Sequence, residues 1–278
     1  MNYKLLLLLL GVLTFTACED VVELDLPDTA PALVVDGWLT DQPGEKRVRL
    51  FQTINYFSEA DYPPVREARV VLHDTEGPVD TLEESAEAPG VYTTNHVGEV
   101  GAIYHLTIET AAGERYASQP EQLQPVPPID SIYYEFIDDN PFQEEGYYVK
   151  IDTREPAGPG DYYRWRQFIN GEYQNTPFDI IIATDEFVDG NFITELEITV
   201  QPLEAGDTCR VEQLSISRAA YDFLFLVRDQ TAFVGSIFDS PPVPIPGNLF
   251  NVEDPAEEVL GFFGVSAVSS AEIVVEEE

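Results

Sequence analysis

From Ala32 onward the chain is a succession of short runs rich in Val, Ile, Tyr, Phe and Thr, cut at close intervals by Gly, Pro, Asn and Asp. That texture constrains the fold more than any other feature, because such runs suit pleated, half-buried strands and are too short for helices. Leu33-Val34-Val35 leads to Gly37-Trp38-Leu39, and Asp41-Gln42-Pro43-Gly44 reads as a turn before Arg47-Val48-Arg49-Leu50-Phe51. Between Ala102 and Glu109 the alternation is clean. Tyr104, Leu106 and Ile108 face one side, and Ile103, His105, Thr107 and Glu109 the other. Further short strands, at 68–72 and after the turn at Pro89-Gly90, keep the regular spacing of an antiparallel sandwich. The expected fold is mainly β: an Ig-like antiparallel β-sandwich followed by a second β-rich domain with one buried helix.

A Pro-rich stretch from Gln119 to Pro128 is too stiff for a central strand and marks a boundary. The expected domains are a sandwich over 32–124 and a β-rich C-terminal domain over 125–278. In the second half Asn170-Gly171 reads as a hairpin turn, since both central positions want positive φ. Asp189-Gly190, between strand-like runs at 180–183 and 192–198, reads as a longer hairpin loop. One helix is expected near 217–230. Ser217 caps its start, Tyr221, Leu224, Phe225 and Arg228 share a face, and apolar residues nearly all round predict burial. Ser240 to Gly247 breaks the pattern again, and runs at 261–268 and 271–275 close the chain. No sequence repeat is found.

The N-terminus carries a different signal. Met1 to Lys4 is a charged lead, followed by an apolar run from Leu5 to Ala17 that is shorter than the roughly 20 residues a membrane span needs. This is the layout of a secretory signal over 1–17, cut between Ala17 and Cys18. Leu13 to Ala17 before Cys18 resembles a bacterial lipobox, with Phe15 where leucine is more frequent. Cys18 is the expected lipid-attachment residue: its thiol takes a diacylglycerol and its freed amine another acyl chain. At about 0.8 kcal/mol per buried methylene, several chains give lasting attachment. Residues 18–31 are then an acidic tether, beginning Glu19-Asp20.

Lys and Arg number 14 against 51 Asp and Glu, for a formal charge of −37, and loss of Lys4 makes the mature chain more negative still. Nucleic acid is a poor partner, because binding it requires neutralising phosphates with Lys and Arg. Such acidity fits a saline habitat or simply an exported acidic protein, and identifies no ligand. With Cys18 acylated, Cys209 has no partner, which excludes a disulfide framework. Cys209 reads as a small packed strand residue.

Few motifs for chemistry appear. His73, His96 and His105 have no metal-binding spacing, and His105 reads as exposed. Asp185-Glu186, Asp189-Gly190-Asn191 and Asp138-Asp139-Asn140 come closest to calcium ligands without following the EF-hand pattern. Gly264-Val265-Ser266 lacks the second glycine of a nucleophile elbow, and no phosphate or dinucleotide loop is present. No cofactor, metal or catalytic residue is assigned. Paired carboxylates for hydrolysis stay open, since any two of so many acids can meet. Clustered aromatics at Tyr133-Tyr134, Tyr147-Tyr148 and Tyr162-Tyr163-Arg164-Trp165 supply the candidate binding residues. One of each adjacent pair must point outward, and Tyr133, Tyr147, Tyr163 and Trp165 are taken as exposed candidates for stacking on a sugar or anchoring a partner. The alternative is that they cover the seam between layers or domains.

Several stretches resemble one family from end to end: Cys18-Glu19-Asp20, Leu33 to Thr40, Pro89-Gly90-Val91-Tyr92, Gln124 to Ile132, Tyr221-Asp222-Phe223, Pro246-Gly247-Asn248-Leu249 and Leu260-Gly261-Phe262-Phe263. In that order they resemble DUF4249, a domain-of-unknown-function family of Bacteroidota lipoproteins. The first half, through Asp74-Thr75-Glu76-Gly77 and Gly90-Val91-Tyr92, is also similar to the sandwich domain attached to carboxypeptidases and outer-membrane receptors. The resemblance implies an outer-membrane lipoprotein, with Glu19-Asp20 favouring the cell surface over the periplasmic face. It also implies an accessory or binding role beside a TonB-dependent receptor in nutrient uptake. A structural or adhesive module without a small ligand, and a carboxylate-dependent hydrolase, are the alternatives.

Overall fold

The computed structural model describes residues 30–55, 58, 60–232 and 243–277. The leader, the Ala17–Cys18 cut, the tether up to residue 29 and the first residues of the 240–247 break lie outside the described residues. The architecture is mainly β, as expected. The first lobe places its alternating residues around one core. On β1 (Leu33–Thr40) and β2 (Lys46–Gln52), Val35, Leu39, Val48 and Leu50 point inward. They meet Val70 and Leu72 from β3 (Arg69–His73) and Leu106 and Ile108 from β6 (Ile103–Glu109). Between them β4 (Pro78–Glu84) pairs with β3 along most of its length and with β5 (Val91–Thr94) at its end, carrying the strand path from one layer to the other. β7 (Arg115–Ser118) and the short β8 (Glu121–Gln122) both pair with β6.

Two strands from the far end of the chain complete this sheet. β16 (Leu249–Asn251) pairs with β7, and β17 (Leu260–Ser266) runs parallel to β1 from Val34↔Leu260 to Thr40↔Ser266. The β17 approach depends on Gly261. Its φ is +91°, and a Cβ there would fall 1.9 Å from the Val35 carbonyl oxygen, so no other residue fits.

The second lobe packs two further sheets. β9 (Ile129–Ile137), β10 (Gly146–Arg154) and β14 (Phe192–Glu197) form one, with β10 central. β11 (Tyr162–Ile169) and β15 (Thr208–Ile216) form the middle of the other, with β12 (Glu172–Tyr173), β13 (Ile181–Thr184) and β18 (Val268–Val274) beside them. Val149, Ile151, Tyr163, Trp165, Cys209 and Val211 share the core between them. Asn170 (φ 51°) and Gly171 (φ 83°) make the tight β11–β12 turn their sequence predicts. The 180–183 and 192–198 runs do not form the expected hairpin. β13 pairs with β11 and β14 with β10, so the Asp189-Gly190 loop crosses between sheets.

The proline stretch falls where the first run of strands ends; it contains β8 and leads into β9. It is pinned rather than loose: Gln213 Nε2 donates to the Pro127 carbonyl at 2.9 Å, and Ser215 Oγ to that of Gln124 at 2.6 Å. A single buried residue, Ala267, separates β17 in the first sheet from β18 in the second lobe. Asp41 clamps that crossing, its backbone N–H on the Ser266 carbonyl and its carboxylate accepting from the Val268 N–H at 3.0 Å. Residues 31–278 accordingly form one compact unit.

The helix, α1 (Arg218–Ala232), begins at the predicted cap, with Ser217 Oγ accepting the Ala220 N–H at 3.0 Å. It is not buried all round. Only Ala220 and Leu224 are fully covered, and Phe225 is 42% exposed. The sheet and the 3-10 turn at Pro177–Asp179 cover one side, while Asp222 and Asp229 face water on the other. Its apolar width is met partly by neighbours on the helix itself, with the Arg228 guanidinium over the Phe225 ring at 5.6 Å. Among the described residues no helix is long and apolar enough to cross a membrane.

Candidate functional site

Strand alternation that sends Val35, Val48 and Leu50 into the first core sends Asp36, Trp38, Arg47 and Arg49 out of the same sheet. On β11 the alternation that buries Tyr163, Trp165 and Gln167 turns Arg164 and Arg166 outward. These outer faces oppose each other across a cleft of about 640 Å³, with α1 contributing Phe223, Leu224 and Val227 to its lining. The volume lies within the range of small-molecule sites.

The charge in this cleft runs against the rest of the molecule. Lys46, Arg47, Arg49, Arg164 and Arg166 all line it, five of the chain's 14 basic residues, against three of its 51 acids, Asp36, Glu45 and Asp179. Asp179 is already engaged, its carboxylate accepting from the Thr176 N–H, the Thr176 hydroxyl and Gln167 Nε2 at 2.6–2.8 Å. Arg166 is matched by Glu212 at 2.6 Å and Arg47 by Glu45 at 2.7 Å. Arg49 lies over the Phe51 ring at 5.4 Å and has no ion pair among the described residues.

Arg164 is the least compensated of the five. It lies in register with Ile182 and Leu214 of the flanking strands, so its stem leaves an apolar surface. Its guanidinium sits 5.5 Å from the centre of the Trp38 ring, and Nη2 donates to the Tyr173 hydroxyl at 2.9 Å. Among the described residues Nε is shielded from solvent and has no hydrogen-bond partner. Burial pulls this guanidinium below the usual arginine range, with the neighbouring Arg166 adding to the effect and Tyr173 and Asp36 offsetting it. Trp38 is itself held from behind: a Cβ at Gly264 would meet its ring at 2.4 Å, and Phe262 stacks on it at 6.2 Å.

A second cluster has the opposite sign. Glu155, Asp161 and Asp185 bring carboxylate oxygens within 4.8 Å of one another, the grouping best suited to share a hard cation among the described residues. Their bonds are largely closed, however. Glu155 accepts from the Tyr163 hydroxyl at 2.9 Å, and Asp185 from the Gly160 and Asp161 N–H groups at 2.7 and 3.1 Å. Burial foremost, with the nearby Asp161 and Asp185 charges, pushes the Glu155 carboxyl up to about 7. Of these residues the sequence marks only Asp185, because the other two stand on different elements.

A family model described as "Domain of unknown function (DUF4249)" matches residues 19–272. The chain belongs to the DUF4249 family. No curated protein matches it. Among solved structures, a two fibronectin type-III domain segment from chicken tenascin is similar at 16% identity, covering 67% of this chain and 91% of that one. Its TM-score of 0.21 is too low for the two to superpose as wholes.

In this DUF4249 chain the aromatic candidates divide. Tyr163 and Trp165 are 5% and 3% exposed, not the outward members of their strand. Their polar atoms are satisfied inside, Trp165 Nε1 donating to Gln213 Oε1 at 2.9 Å. Register against β15 turns the odd-numbered positions inward, leaving Tyr162 and Arg164 on the outer face. Tyr133 is half-buried with its hydroxyl on Asp152 at 3.0 Å, and Tyr147 packs edge-on against Tyr134 and Phe136 at the border of the second core. None of the four lines the cleft. The aromatic surface that does line it, Trp38, Phe51, Tyr173, Phe223 and Phe262, comes from four strands and α1 and carries no local signal of its grouping. His105 is not fully exposed either, being in register with His73 and stacked on it at 4.7 Å.

Proposed function

We propose that this DUF4249 protein is a lipid-anchored binding protein of the outer membrane, displayed at the cell surface, that holds a ligand between its two lobes. In this reading it acts with a TonB-dependent receptor in nutrient uptake. The observation that carries the binding role is the interlobe cleft, where basic and aromatic side chains gather in a strongly acidic protein and Arg164 keeps a buried donor without a partner among the described residues. Unmatched buried polar groups are costly in a fold and common at sites where a ligand completes them. The anchor rests on the leader and Cys18, and the receptor on the family resemblance. The hydrolase alternative has less support, since the acids that do stand together are engaged with one another and with backbone, and do not line the cleft.

The test is purification from the native membrane after gentle crosslinking, with native mass spectrometry for retained small molecules and peptide sequencing for partners. The reading predicts a retained ligand that disappears in Trp38→Ala, together with a TonB-dependent receptor. Recovery of the protein alone and empty, with crosslinking shown to be efficient, would replace it with a free-standing structural module.

A further inference from the structure

Resting on the binding role proposed above, we infer that the cleft reads a carboxylate on a ligand with a flat apolar body, Arg164 and Arg49 gripping the carboxylate and Trp38 supporting the body. Three observations converge on this. Among the described residues Arg164 Nε has no partner and is shielded from water. An under-satisfied buried guanidinium is expensive, and the N–H groups it has beside the Nη2 bond to Tyr173 suit the planar geometry of a carboxylate. Arg49, on the facing wall, lies over the Phe51 ring and has no ion pair among the described residues. Trp38 lies under the Arg164 guanidinium and is fixed by Gly264 and Phe262, so it offers a rigid apolar wall that loses little freedom on binding.

The choice of a monoanion follows from the surroundings. Each negative charge a ligand brings is repelled by a protein of formal charge −37, and Asp36 projects from the strand position directly opposite Arg49. A singly charged carboxylate meets two available guanidinium groups while incurring the least of this repulsion. A doubly charged phosphate incurs more for the same two partners. The apolar residues contributed by α1 lower the local dielectric, which strengthens the short-range pairing inside the cleft relative to the screened field outside.

The two tryptophans allow a clean test, because Trp38 lines the cleft and Trp165 lies in the second core with its N–H bonded to Gln213. Phenylacetate and phenylacetamide share a ring and differ in charge. Each is titrated into isotope-labelled protein while the indole N–H resonances are followed by two-dimensional NMR. Phenylacetate is expected to move the Trp38 resonance saturably and leave Trp165 in place. Phenylacetamide is expected to need at least ~tenfold higher concentration, the span of one charge-assisted hydrogen-bonded pair. Arg164→Met should erase that difference. Arg49→Met, at an exposed position where folding is not at stake, should reduce it. Equal response to acid and amide would overturn the carboxylate inference and leave the binding role standing. No movement of Trp38 with either probe would also overturn it, and the binding role would then be decided by the ligand-retention experiment above.

Discussion

Neighbouring residues of β11 look into two different environments. On the inward side Tyr163 and Trp165 reach Glu155 and Gln213, and each polar atom has a partner in the protein. On the outward side Arg164 ends beside Trp38 with a donor that nothing in the described structure accepts from. The same contrast separates the two charge clusters. The acids around Glu155 are satisfied by one another, by Tyr163 and by backbone N–H groups, whereas the cleft holds an excess of cations over free acids. A closed network stabilises a fold; an open one, kept at a cost in stability, points to something that completes it.

The contrast is sharpest in a pair of adjacent substitutions. Trp165→Ala should cost about 3–5 kcal/mol, as expected for deleting a large core side chain, and leave Gln213 with an unpaired oxygen. A loss under about 1 kcal/mol in denaturant unfolding would mean that the inner face is not packed as described. Next in size is the pH dependence set by Glu155. Its carboxyl is raised to about 7 from an ordinary 4.5, so the fold favours the neutral form. The resulting stabilisation is full below 4.5, declines as pH rises toward 7 and is gone above it. The change should amount to about 1–2 kcal/mol after allowing for solvent screening, and Glu155→Gln should flatten the profile. A stability that rises over that interval, with the Gln variant no different, would show the acids to be held ionised.

Smaller still is the effect of Arg164→Met on stability. Removing a poorly matched buried cation should change unfolding by less than about 1 kcal/mol, or stabilise slightly. A loss of several kcal/mol would make Arg164 part of the structure rather than of a site. The smallest effect concerns Cys209, whose thiol burial pushes up to about 12. In a Cys18→Ser form it should react with disulfide reagents no faster than the protein unfolds, and prompt labelling would open the second core to water.

These outcomes bear on how far the sequence could be read. Alternation at 102–109, the Asn170-Gly171 turn and the Ser217 cap are local signals, and each appears in the structure where local chemistry puts it. Alternation also says that one of Tyr163 and Arg164 faces out. It does not say which, because that choice is made by register against β15 and β13, whose partners lie far along the chain. The cleft is harder still. Its cations come from β2 and β11, and the walls that carry them are brought together where β17 returns to lie parallel to β1 and passes through Ala267 into β18. No pattern in either segment anticipates that return, although the glycines it needs, Gly261 and Gly264, are visible in Leu260-Gly261-Phe262-Phe263-Gly264. The helix misled for a related reason: apolar residues all round predict burial only if something lies on every side.

Whether the outward face of β11 belongs to a ligand site is decided by adding the small-molecule extract of the native cells to isotope-labelled protein and following both indole N–H resonances. The extract should shift Trp38 and leave Trp165 unmoved, and the Trp38 shift should be lost in Arg164→Met. An extract that shifts neither resonance, or shifts Trp38 equally in wild type and Arg164→Met, would contradict a ligand site there.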